Sequence, residues 1–300
     1  MKTNKIAAGI VLFNPEIKRF DGVLSSVYNQ VDQIYLFDNK SDNLNDIETI
    51  IKKYNSRKIT LIKGYRNFGI GYALNRICES AISDGYDFLL SLDHDTLCKD
   101  GLTNIYRTYL SLESMGILCP QVVDDKMAIN YWASNNSTGV DKIDYCIQSG
   151  CLLNLYVWKS VNGFDEDMFI DFVDFDYCMR LHINGYCIYR CNEAVINHQL
   201  GDKEKTKIAD FSDRLSDVTK LKALKYFGYK NVVSPKRAYY TSRNNIIFIR
   251  KYKKYLNMPD EIRKYFDRNL RRVIRSKNGI GLIKDIYLGL IDGLKYNINS

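Results

Sequence analysis

The sequence lacks any apolar run that could cross a bilayer. Its longest stretches without a charged side chain are about fourteen residues and contain Asn, Ser, Gln or Gly, whereas a spanning helix needs about 20 apolar residues. It has only four prolines and no repeat of fixed period among its 300 residues. These absences exclude a transmembrane, fibrous or repeat protein, and 46% hydrophobic with 26% charged residues is an ordinary globular composition.

Several catalytic and binding motifs are also missing. No GxxxxGKS or GxxxxGKT loop occurs. Gly69 and Gly71 match the first two glycines of a GxGxxG motif, but the third is missing because position 74 is Leu. P-loop and dinucleotide-binding proteins are therefore disfavoured. No GxSxG elbow occurs, which argues against serine hydrolase chemistry. The eight cysteines include no CxxC pair, so a zinc site is poorly supported and we expect reduced core thiols.

The N-terminus is basic and then apolar, as in a signal peptide. However, the apolar run of residues 6–13 already contains the small residues Ala7 and Gly9, and Asn14 and Pro15 close it without a cleavage site. We expect a buried first strand and, because no export signal is apparent, a cytoplasmic protein.

The first hundred residues alternate strand-like and helix-like segments. The strand-like runs are residues 6–13, 33–37, 58–63 and 88–92, and the helix-like segments include residues 45–54 and 71–83. Repeated β-α units with short connections predict an α/β fold with a mostly parallel sheet between helices, which binds ligands at the carboxyl ends of its strands. Polar residues follow these runs: Asn14, Asp38, Asn39, Arg66, Asn67, Asp93 and Asp95.

Two carboxylates, Asp93 and Asp95, follow the run of residues 88–92. At alternating positions both can point the same way, while His94 between them points away. Such a pair is typical of a site for Mg2+ or Mn2+ in which the ion also coordinates a diphosphate. An Asp-rich turn without a metal would show the same sequence pattern.

A second acidic cluster spans residues 165–176, where carboxylates alternate with large apolar side chains. If a helix begins near Asp176, then Asp171 and Asp174 lie at its entrance. A carboxylate held there could serve as a general base. The alternative is that these acids only cap the N-terminus of the helix.

Histidine is scarce, with three residues in the chain. His198 follows the short β-rich run of residues 194–197 and could complete a metal shell with Asp95, although a structural histidine would look identical. His182 lies within a helical run and is expected to be structural.

The charge is unevenly distributed. Residues 1–200 hold 19 Lys and Arg against 25 Asp and Glu, a net charge of −6, whereas residues 201–300 hold 24 against 10, a net charge of +14. In the second part a helix is expected to start at Ser234 and Pro235, and Ile283, Ile286, Tyr287, Leu290, Ile291 and Leu294 recur at helical spacing. This apolar face could pack within a helical region or lie on anionic lipid. Nucleic acid is not expected to be a partner, because no reading motif accompanies the charge.

Taken in order, eight segments resemble those of the inverting family 2 glycosyltransferases with the GT-A fold, most closely the bacterial rhamnosyltransferase-like branch. They are residues 9–14, Asp38–Ser41 ("DNxS"), 66–75 ("NxGxAxALN"), Asp93–Asp95 ("DxD"), 149–153 with the "GGFDE"-like turn at 163–166, 169–180 ("EDxDxCxR") and 237–244 ("YYxxRN"). The chain departs from the family pattern at Val173, where Glu is usual, and at Asn162, where Gly is usual.

The resemblance implies a role for each matching residue. Asp174 would be the catalytic base, and Asp95 and His198 would hold Mg2+ or Mn2+. The residues expected at the nucleotide-sugar donor are Phe13, Asn14, Asp38, Asn39, Arg66, Asn67, Asp93 and His94.

The expected reaction is transfer of one sugar from a nucleoside diphosphate donor, with inversion at the anomeric carbon. The branch implies dTDP-rhamnose as donor, with UDP-galactose or UDP-glucose as alternatives, and a lipid-linked glycan as acceptor. We expect a catalytic domain over residues 1–200 and a basic, helical region over residues 201–300 that associates peripherally with the inner face of an anionic membrane. The rival classes are a nucleotidylyltransferase, which would bring a Gly-rich basic loop that residues 12–18 lack, and a non-catalytic glycan-binding module.

Overall fold

A computed structural model describes residues 4–124, 129–130, 138–198, 203–205, 209–219 and 229–298. The chain divides into two compact units, the first comprising Met1–Phe169 with Val173–Gln199 and the second Ile170–Phe172 with Leu200–Ser300. The boundary predicted between residues 200 and 201 lies outside the described residues.

The first unit contains ten strands and six α-helices among its described residues. The strands are β1 (Ile6–Leu12), β2 (Gln33–Asp38), β3 (Ile59–Lys63), β4 (Phe88–Asp93), β5 (Leu97–Cys98), β6 (Met115–Asp124), β7 (Ile129–Asn130), β8 (Val140–Ile143), β9 (Cys151–Asn154) and β10 (Cys187–His198). The helices are α1 (Ile17–Tyr28), α2 (Leu44–Ile51), α3 (Ile70–Ser83), α4 (Leu102–Arg107), α5 (Leu155–Ser160) and α6 (Val173–Ile183).

One half of the sheet is parallel, in the order β3-β2-β1-β4. All seven residues of β1 are buried, as expected for a central strand covered on both faces. Helix α1 packs Phe20, Val23 and Leu24 into the core. The predicted α/β class with a parallel sheet between helices is confirmed.

The other half of the sheet is mixed. Strand β9 pairs antiparallel with both β4 and β6, and β6 pairs parallel with β10. Just after β4, the two-residue strand β5 pairs antiparallel with the end of β10, and Leu97 lies opposite Asn197. This register places Thr96 opposite His198, so the chain that leaves β4 meets the end of β10.

The cysteines lie mostly in the core, as the sequence indicates. All eight are free, and seven are buried, with Cys187 partly exposed.

The second unit contains β11 (Lys203–Lys205), β12 (Tyr229–Asn231), α7 (Ala209–Thr219), α8 (Pro235–Lys251), α9 (Met258–Arg275) and α10 (Ile283–Lys295) among its described residues. Helix α8 starts as predicted, because the Ser234 hydroxyl accepts a hydrogen bond from the Arg237 backbone N–H and Pro235 occupies the first turn. No helix in the described part of the chain combines the length and apolar character needed to cross a membrane.

Helix α10 packs differently from the pattern of its apolar residues. Its buried residues are Gly289 and Gly293, which face α8 so closely that a Cβ on Gly293 would lie 2.7 Å from the Arg243 carbonyl oxygen. Ile283 and Tyr287 are exposed instead. Backbone-to-backbone packing through glycine therefore brings the two helices together and leaves part of the apolar face exposed. Packing within the helical region and contact with lipid both stay predictions for this face.

Helix α8 also holds the segment of residues 170–172. Asn244 donates hydrogen bonds to the carbonyl oxygens of Ile170 (2.9 Å) and Asp171 (3.1 Å). The Asp171 carboxylate pairs with Arg237 (3.0 Å) and accepts a hydrogen bond from Thr241. Asp171 has a φ of +62° and Phe172 one of +67°, a conformation that costs free energy unless such contacts hold it. This engagement of Asp171 within the second unit makes it a structural residue.

Asp171→Asn should lower the free energy of unfolding by about 1–3 kcal/mol at pH 7, because it weakens buried charge-assisted hydrogen bonds. Burial raises the pKa of Asp171, but Arg237, Thr241 and Arg272 outweigh burial and hold the pKa below its usual value. The stabilisation should therefore be complete above the unfolded-state pKa of about 4 and disappear as the pH falls through the folded-state value.

Urea unfolding of both proteins between pH 7 and pH 3 measures this difference, with Asp285→Asn on α10 as the control. A difference that stays constant over the whole range would contradict the assignment.

Candidate functional site

The carboxyl ends of β1, β2 and β4 meet at one edge of the sheet. In the parallel register Leu12 lies opposite Asp38, and Val11 lies opposite Asp93. The sheet therefore brings together the predicted residues that follow these strands, as the α/β pattern requires.

Asp38 ends β2 and Asn39 directly follows it; both are buried, at 1% and 2% exposure. The Asp38 carboxylate accepts hydrogen bonds from the Ser41 backbone N–H at 3.2 Å. The Asn39 side chain donates to the Gly69 carbonyl (3.1 Å) and accepts from the Phe68 N–H (3.1 Å). Asn39 thus ties the β2 loop to the loop before α3.

Phe13 and Asn14 follow β1. Phe13 is 45% exposed at the edge. Asn14 has a φ of +48°, and its side-chain oxygen accepts a hydrogen bond from the Asp42 N–H (2.7 Å) while its own N–H donates to the Ser41 hydroxyl (2.9 Å). The β1 and β2 loops are therefore joined as well.

The loop before α3 carries Arg66 and Asn67. Arg66 is exposed, with its guanidinium 4.8 Å from the centre of the Phe68 ring, and the Asn67 side chain accepts a hydrogen bond from the Gly69 N–H (2.9 Å). Gly69 has a φ of +91°, and a Cβ there would lie 2.5 Å from the Phe169 carbonyl oxygen. Only glycine fits this approach.

Helix α3 is tied to the turn at residues 163–166 by Asn75. Its side chain donates to the Phe164 carbonyl (2.9 Å) and accepts from the Phe164 N–H (2.8 Å). A further hydrogen bond joins it to Glu166 (2.9 Å). Asn75 is 6% exposed, so its role is to hold this part of the site together.

The ligand atoms of Asp93, Asp95 and His198 all lie within 4.8 Å of one another. His198 Nε2 lies 3.8 Å from Asp93 Oδ2, and its Nδ1 lies 3.2 Å from Asp95 Oδ1. The Asp95 Oδ1 atom is buried without a hydrogen-bond partner. Two carboxylates and an imidazole with such an orphaned oxygen fit a divalent cation such as Mg2+ or Mn2+.

Asp95 is charged despite its environment. Burial raises its pKa, but the contact and charge of His198, with the charges of His94 and Arg19, outweigh burial and hold the pKa below its usual value. Arg19 also donates to the Asp95 carbonyl oxygen (2.8 Å). Asp95 is therefore ready to ligate a cation at neutral pH.

Three polar residues around this group were missed as site residues from the sequence: Thr96, Gln148 and Ser149. Gln148 donates to Asp93 Oδ1 (3.0 Å), and Ser149 accepts a hydrogen bond from the Asp93 N–H (2.9 Å). Thr96 contacts both Ser149 and His198. Thr96 directly follows the DxD segment and Ser149 begins a recognised motif, but their roles depend on strand pairings that no local pattern reveals.

Asp174 lies in the first turn of α6, which starts three residues earlier than the helix predicted from Asp176. Asp176 is fully buried and pairs with Arg180 (2.9 Å), so it is structural. Val173, at the position where Glu is usual in the family, is a buried apolar residue. The structure places Asp174 outside the group of Asp93, Asp95 and His198 that could hold a metal ion.

The other two histidines differ from His198. His182 Nε2 contacts the Asp144 carbonyl oxygen at 2.8 Å, which agrees with its expected structural role. His94 is partly exposed between the two aspartates, and its charge helps to lower the pKa of Asp95.

Comparison with solved structures shows the same fold. A mannosyltransferase, PcManGT from Pyrobaculum calidifontis, in complex with GDP-Man and Mn2+, matches with a TM-score of 0.53 and 12% identity, over 97% of this chain and 88% of that chain. GalNAc-T7 with UDP, GalNAc and Mn2+ matches with a TM-score of 0.56 and 11% identity, over 66% of this chain but only 44% of that chain. These similarities confirm the expected GT-A fold.

Sequence comparison points the same way. The chain is 24% identical over 313 residues to the dTDP-rhamnosyl transferase RfbF of Shigella flexneri, and the match covers 97% of this chain and 96% of the relative. The family model described as "Glycosyl transferase family 2" matches residues 9–171. This match decides against a nucleotidylyltransferase or a non-catalytic glycan-binding module. Since it covers more than half of the sequence, the chain belongs to glycosyl transferase family 2.

Proposed function

We propose that the protein transfers L-rhamnose from dTDP-rhamnose to a hydroxyl of a lipid-linked glycan, with inversion at the anomeric carbon. The observation that carries the proposal is the Asp93, Asp95 and His198 group at the carboxyl edge of the sheet. The name of the Shigella relative supports the donor, because the two chains align over nearly their full lengths. UDP-galactose and UDP-glucose are the alternative donors.

Asp95 and His198 would hold Mg2+ or Mn2+, with Asp93 beside them. The bound ion would act as a Lewis acid that stabilises negative charge on the departing nucleoside diphosphate. The chain's own contribution is a preassembled set of oxygen and nitrogen ligands, in which the neighbouring histidines and Arg19 outweigh burial and keep Asp95 ionised.

The donor nucleotide would lie along the joined loops after β1, β2 and β3. Asp38, Arg66 and Asn67 are the residues proposed to contact it, with Phe13 and Asn14 at the rim. Asn39 would act mainly through the loop geometry, because its side chain is already bonded to Gly69 and Phe68.

Asp174 would act as the general base. Its carboxylate would take the proton of the acceptor hydroxyl as that oxygen attacks the anomeric carbon from the face opposite the diphosphate. The C–O bond to the acceptor forms while the bond to the diphosphate oxygen breaks, which inverts the configuration. Val173 cannot supply the polar contact of the usual Glu, so the proton transfer depends on Asp174 itself.

A lipid-linked acceptor would require docking at a membrane, and α9 offers a surface for it. Four apolar side chains at every fourth position of α9 are 47 to 65% exposed: Ile262, Phe266, Leu270 and Ile274. Arg263 and Arg271 lie beside them on the same helix. An amphipathic helix with such a stripe and basic flanks can lie in the interface of an anionic bilayer. We therefore propose peripheral association with the cytoplasmic face of the membrane.

A donor screen tests the proposed reaction. The protein is incubated with dTDP-rhamnose, UDP-galactose or UDP-glucose, with and without lipid-linked glycan acceptors, and release of the nucleoside diphosphate is measured. Acceptor-dependent release from dTDP-rhamnose supports the proposal. Release only from a uridine-based donor would overturn the donor assignment.

Asp174→Asn should lower turnover by a factor of about 100 to 10,000, because the amide cannot take the acceptor proton. Binding of the donor, measured by isothermal titration calorimetry, should remain. Asp167→Asn, an exposed member of the same acidic cluster, is the matched control and should keep full activity. Near-normal turnover of Asp174→Asn would show that another group is the base.

Asp95→Asn should weaken Mn2+ binding at least roughly tenfold, because a neutral amide replaces an ionised ligand. Electron paramagnetic resonance of free Mn2+ in the presence of a nucleoside diphosphate measures the affinity. Asp100→Asn, at an exposed position nearby, serves as the control, and Asp174→Asn should also bind Mn2+ normally. Unchanged Mn2+ affinity in Asp95→Asn would rule out this ligand assignment.

The double variant Phe266→Ser and Leu270→Ser should bind vesicles that contain phosphatidylglycerol at least tenfold more weakly, because each lost apolar side chain removes about 1.5–3 kcal/mol of burial. Co-sedimentation at low salt measures vesicle binding. High salt should weaken the binding of the wild-type protein, because it screens the attraction between basic side chains and anionic lipid. Tyr156→Ser, at an exposed apolar residue of the first unit, is the control. Equal retention of all three proteins, or no effect of salt, would refute docking through α9.

A further inference from the structure

Two buried hydroxyl groups connect the backbone of Asp93 with the ring of His198. The Ser149 oxygen accepts a hydrogen bond from the Asp93 N–H (2.9 Å) and lies 2.6 Å from the Thr96 oxygen, which in turn lies 2.8 Å from His198 Nδ1. Thr96 is 0% and Ser149 1% exposed, so water does not compete for these contacts.

We propose that Thr96 and Ser149 are positioning residues that select the tautomer of His198 and aim its Nε2 lone pair into the metal site. This inference rests on the proposed function in that it concerns the same metal-ligating group. It adds two residues that do not touch the ion and that act through His198.

The neighbours of Nδ1 determine where the ring proton lies. Nδ1 faces the Asp95 carboxylate at 3.2 Å as well as the Thr96 hydroxyl at 2.8 Å. An ionised carboxylate can only accept a hydrogen bond. The arrangement is therefore most favourable when Nδ1 carries the hydrogen and donates it to the Thr96 oxygen, with the N–H beside the negative charge of Asp95.

The proton on Nδ1 leaves a lone pair on Nε2 of the neutral ring. Nε2 lies 3.8 Å from Asp93 Oδ2, on the side of the group where a cation would sit between them. Thr96 then donates its own hydrogen to Ser149, whose oxygen also accepts from the Asp93 N–H. Metal-binding histidines generally donate their second N–H in this way, which fixes the ring and its tautomer.

The backbone holds Ser149 in place independently of any ligand. Gly150 donates to the Ser91 carbonyl oxygen on β4 (2.7 Å) and has a φ of +81°. A Cβ on Gly150 would lie 2.8 Å from both Pro120 and Ile196. The adjacent strand β9 pairs with β4, so Ser149 is delivered to the end of β4 beside Asp93.

Thr96→Val tests the inference, since it removes the hydroxyl and keeps the shape of the side chain. We expect Mn2+ affinity to fall about 10 to 100-fold, while kcat at saturating Mn2+ largely recovers. In the metal-free protein at pH 8, the 15N shifts of His198 should change from the form with hydrogen on Nδ1 to a mixture of both tautomers. Residue 149 does not touch the ring, but Ser149→Ala should change the Mn2+ affinity and the tautomer of His198 in the same direction. Thr96→Ser keeps the hydroxyl and should therefore retain the wild-type affinity and tautomer.

Thr103→Val is the matched control. Thr103 is equally buried, but its hydroxyl donates to the Gln30 carbonyl oxygen (2.8 Å), away from the site. If Thr96→Val keeps the wild-type tautomer and Mn2+ affinity, or if Thr103→Val changes both as much, the inference is wrong. The tautomer measurement uses no metal, so it tests the roles of Thr96 and Ser149 even if the wild-type protein fails to bind Mn2+. Such a failure would count against the proposed function alone.

Discussion

The group of Asp93, Asp95 and His198, which could hold a metal ion, depends on one short pairing, that of β5 with the end of β10. After β4 the chain turns away from the parallel half of the sheet and adds two residues antiparallel to β10. The register brings Thr96 opposite His198 and places Asp95 against the same imidazole. Residues about a hundred positions apart in sequence thus come close enough to share one cation. A two-residue pairing is weak by itself, and Arg19 reinforces it by donating to the carbonyl oxygens of Asp95 (2.8 Å) and Asn197 (3.5 Å).

The electrostatics of the site follow from the close approach of Asp93, Asp95, His198 and Arg19. Two carboxylates placed close together in partly buried surroundings would repel each other and gain protons unless cations were near. Here the histidines and Arg19 overcome the burial of Asp95 and keep its pKa low. The carboxylate Oδ1 still lacks a hydrogen-bond donor. This carboxylate oxygen is therefore charged but has no hydrogen-bond donor, an arrangement that favours cation binding over a closed internal ion pair.

The sequence predicts those parts of the fold that local patterns determine. Strands β1 to β4 follow from their apolar runs, and residues such as Asp38 and Asp93 follow from the rule that parallel sheets bind at their carboxyl ends. The start of α8 follows from Ser234 and Pro235. The roles of Thr96, Gln148 and Ser149 could not be predicted, because they arise from β9 and β5 pairing with strands that are distant in sequence. Asp171 could not be separated from Asp174 either, since its partners Arg237 and Thr241 lie some 70 residues away.

Helix α10 shows why periodicity alone does not determine how a helix packs. A repeated apolar spacing predicts a buried face only when large side chains provide the closest packing. Gly289 and Gly293 instead let the α10 backbone approach α8 until no Cβ would fit. Once glycine makes that contact, Ile283, Tyr287 and Leu294 stay exposed. With the exposed stripe of α9, these side chains add apolar surface to the part of the sequence that carries the +14 charge. Positive charge alone would suit any polyanion, but charge combined with exposed apolar side chains favours a lipid surface, because only lipid offers both an anionic layer and an apolar one.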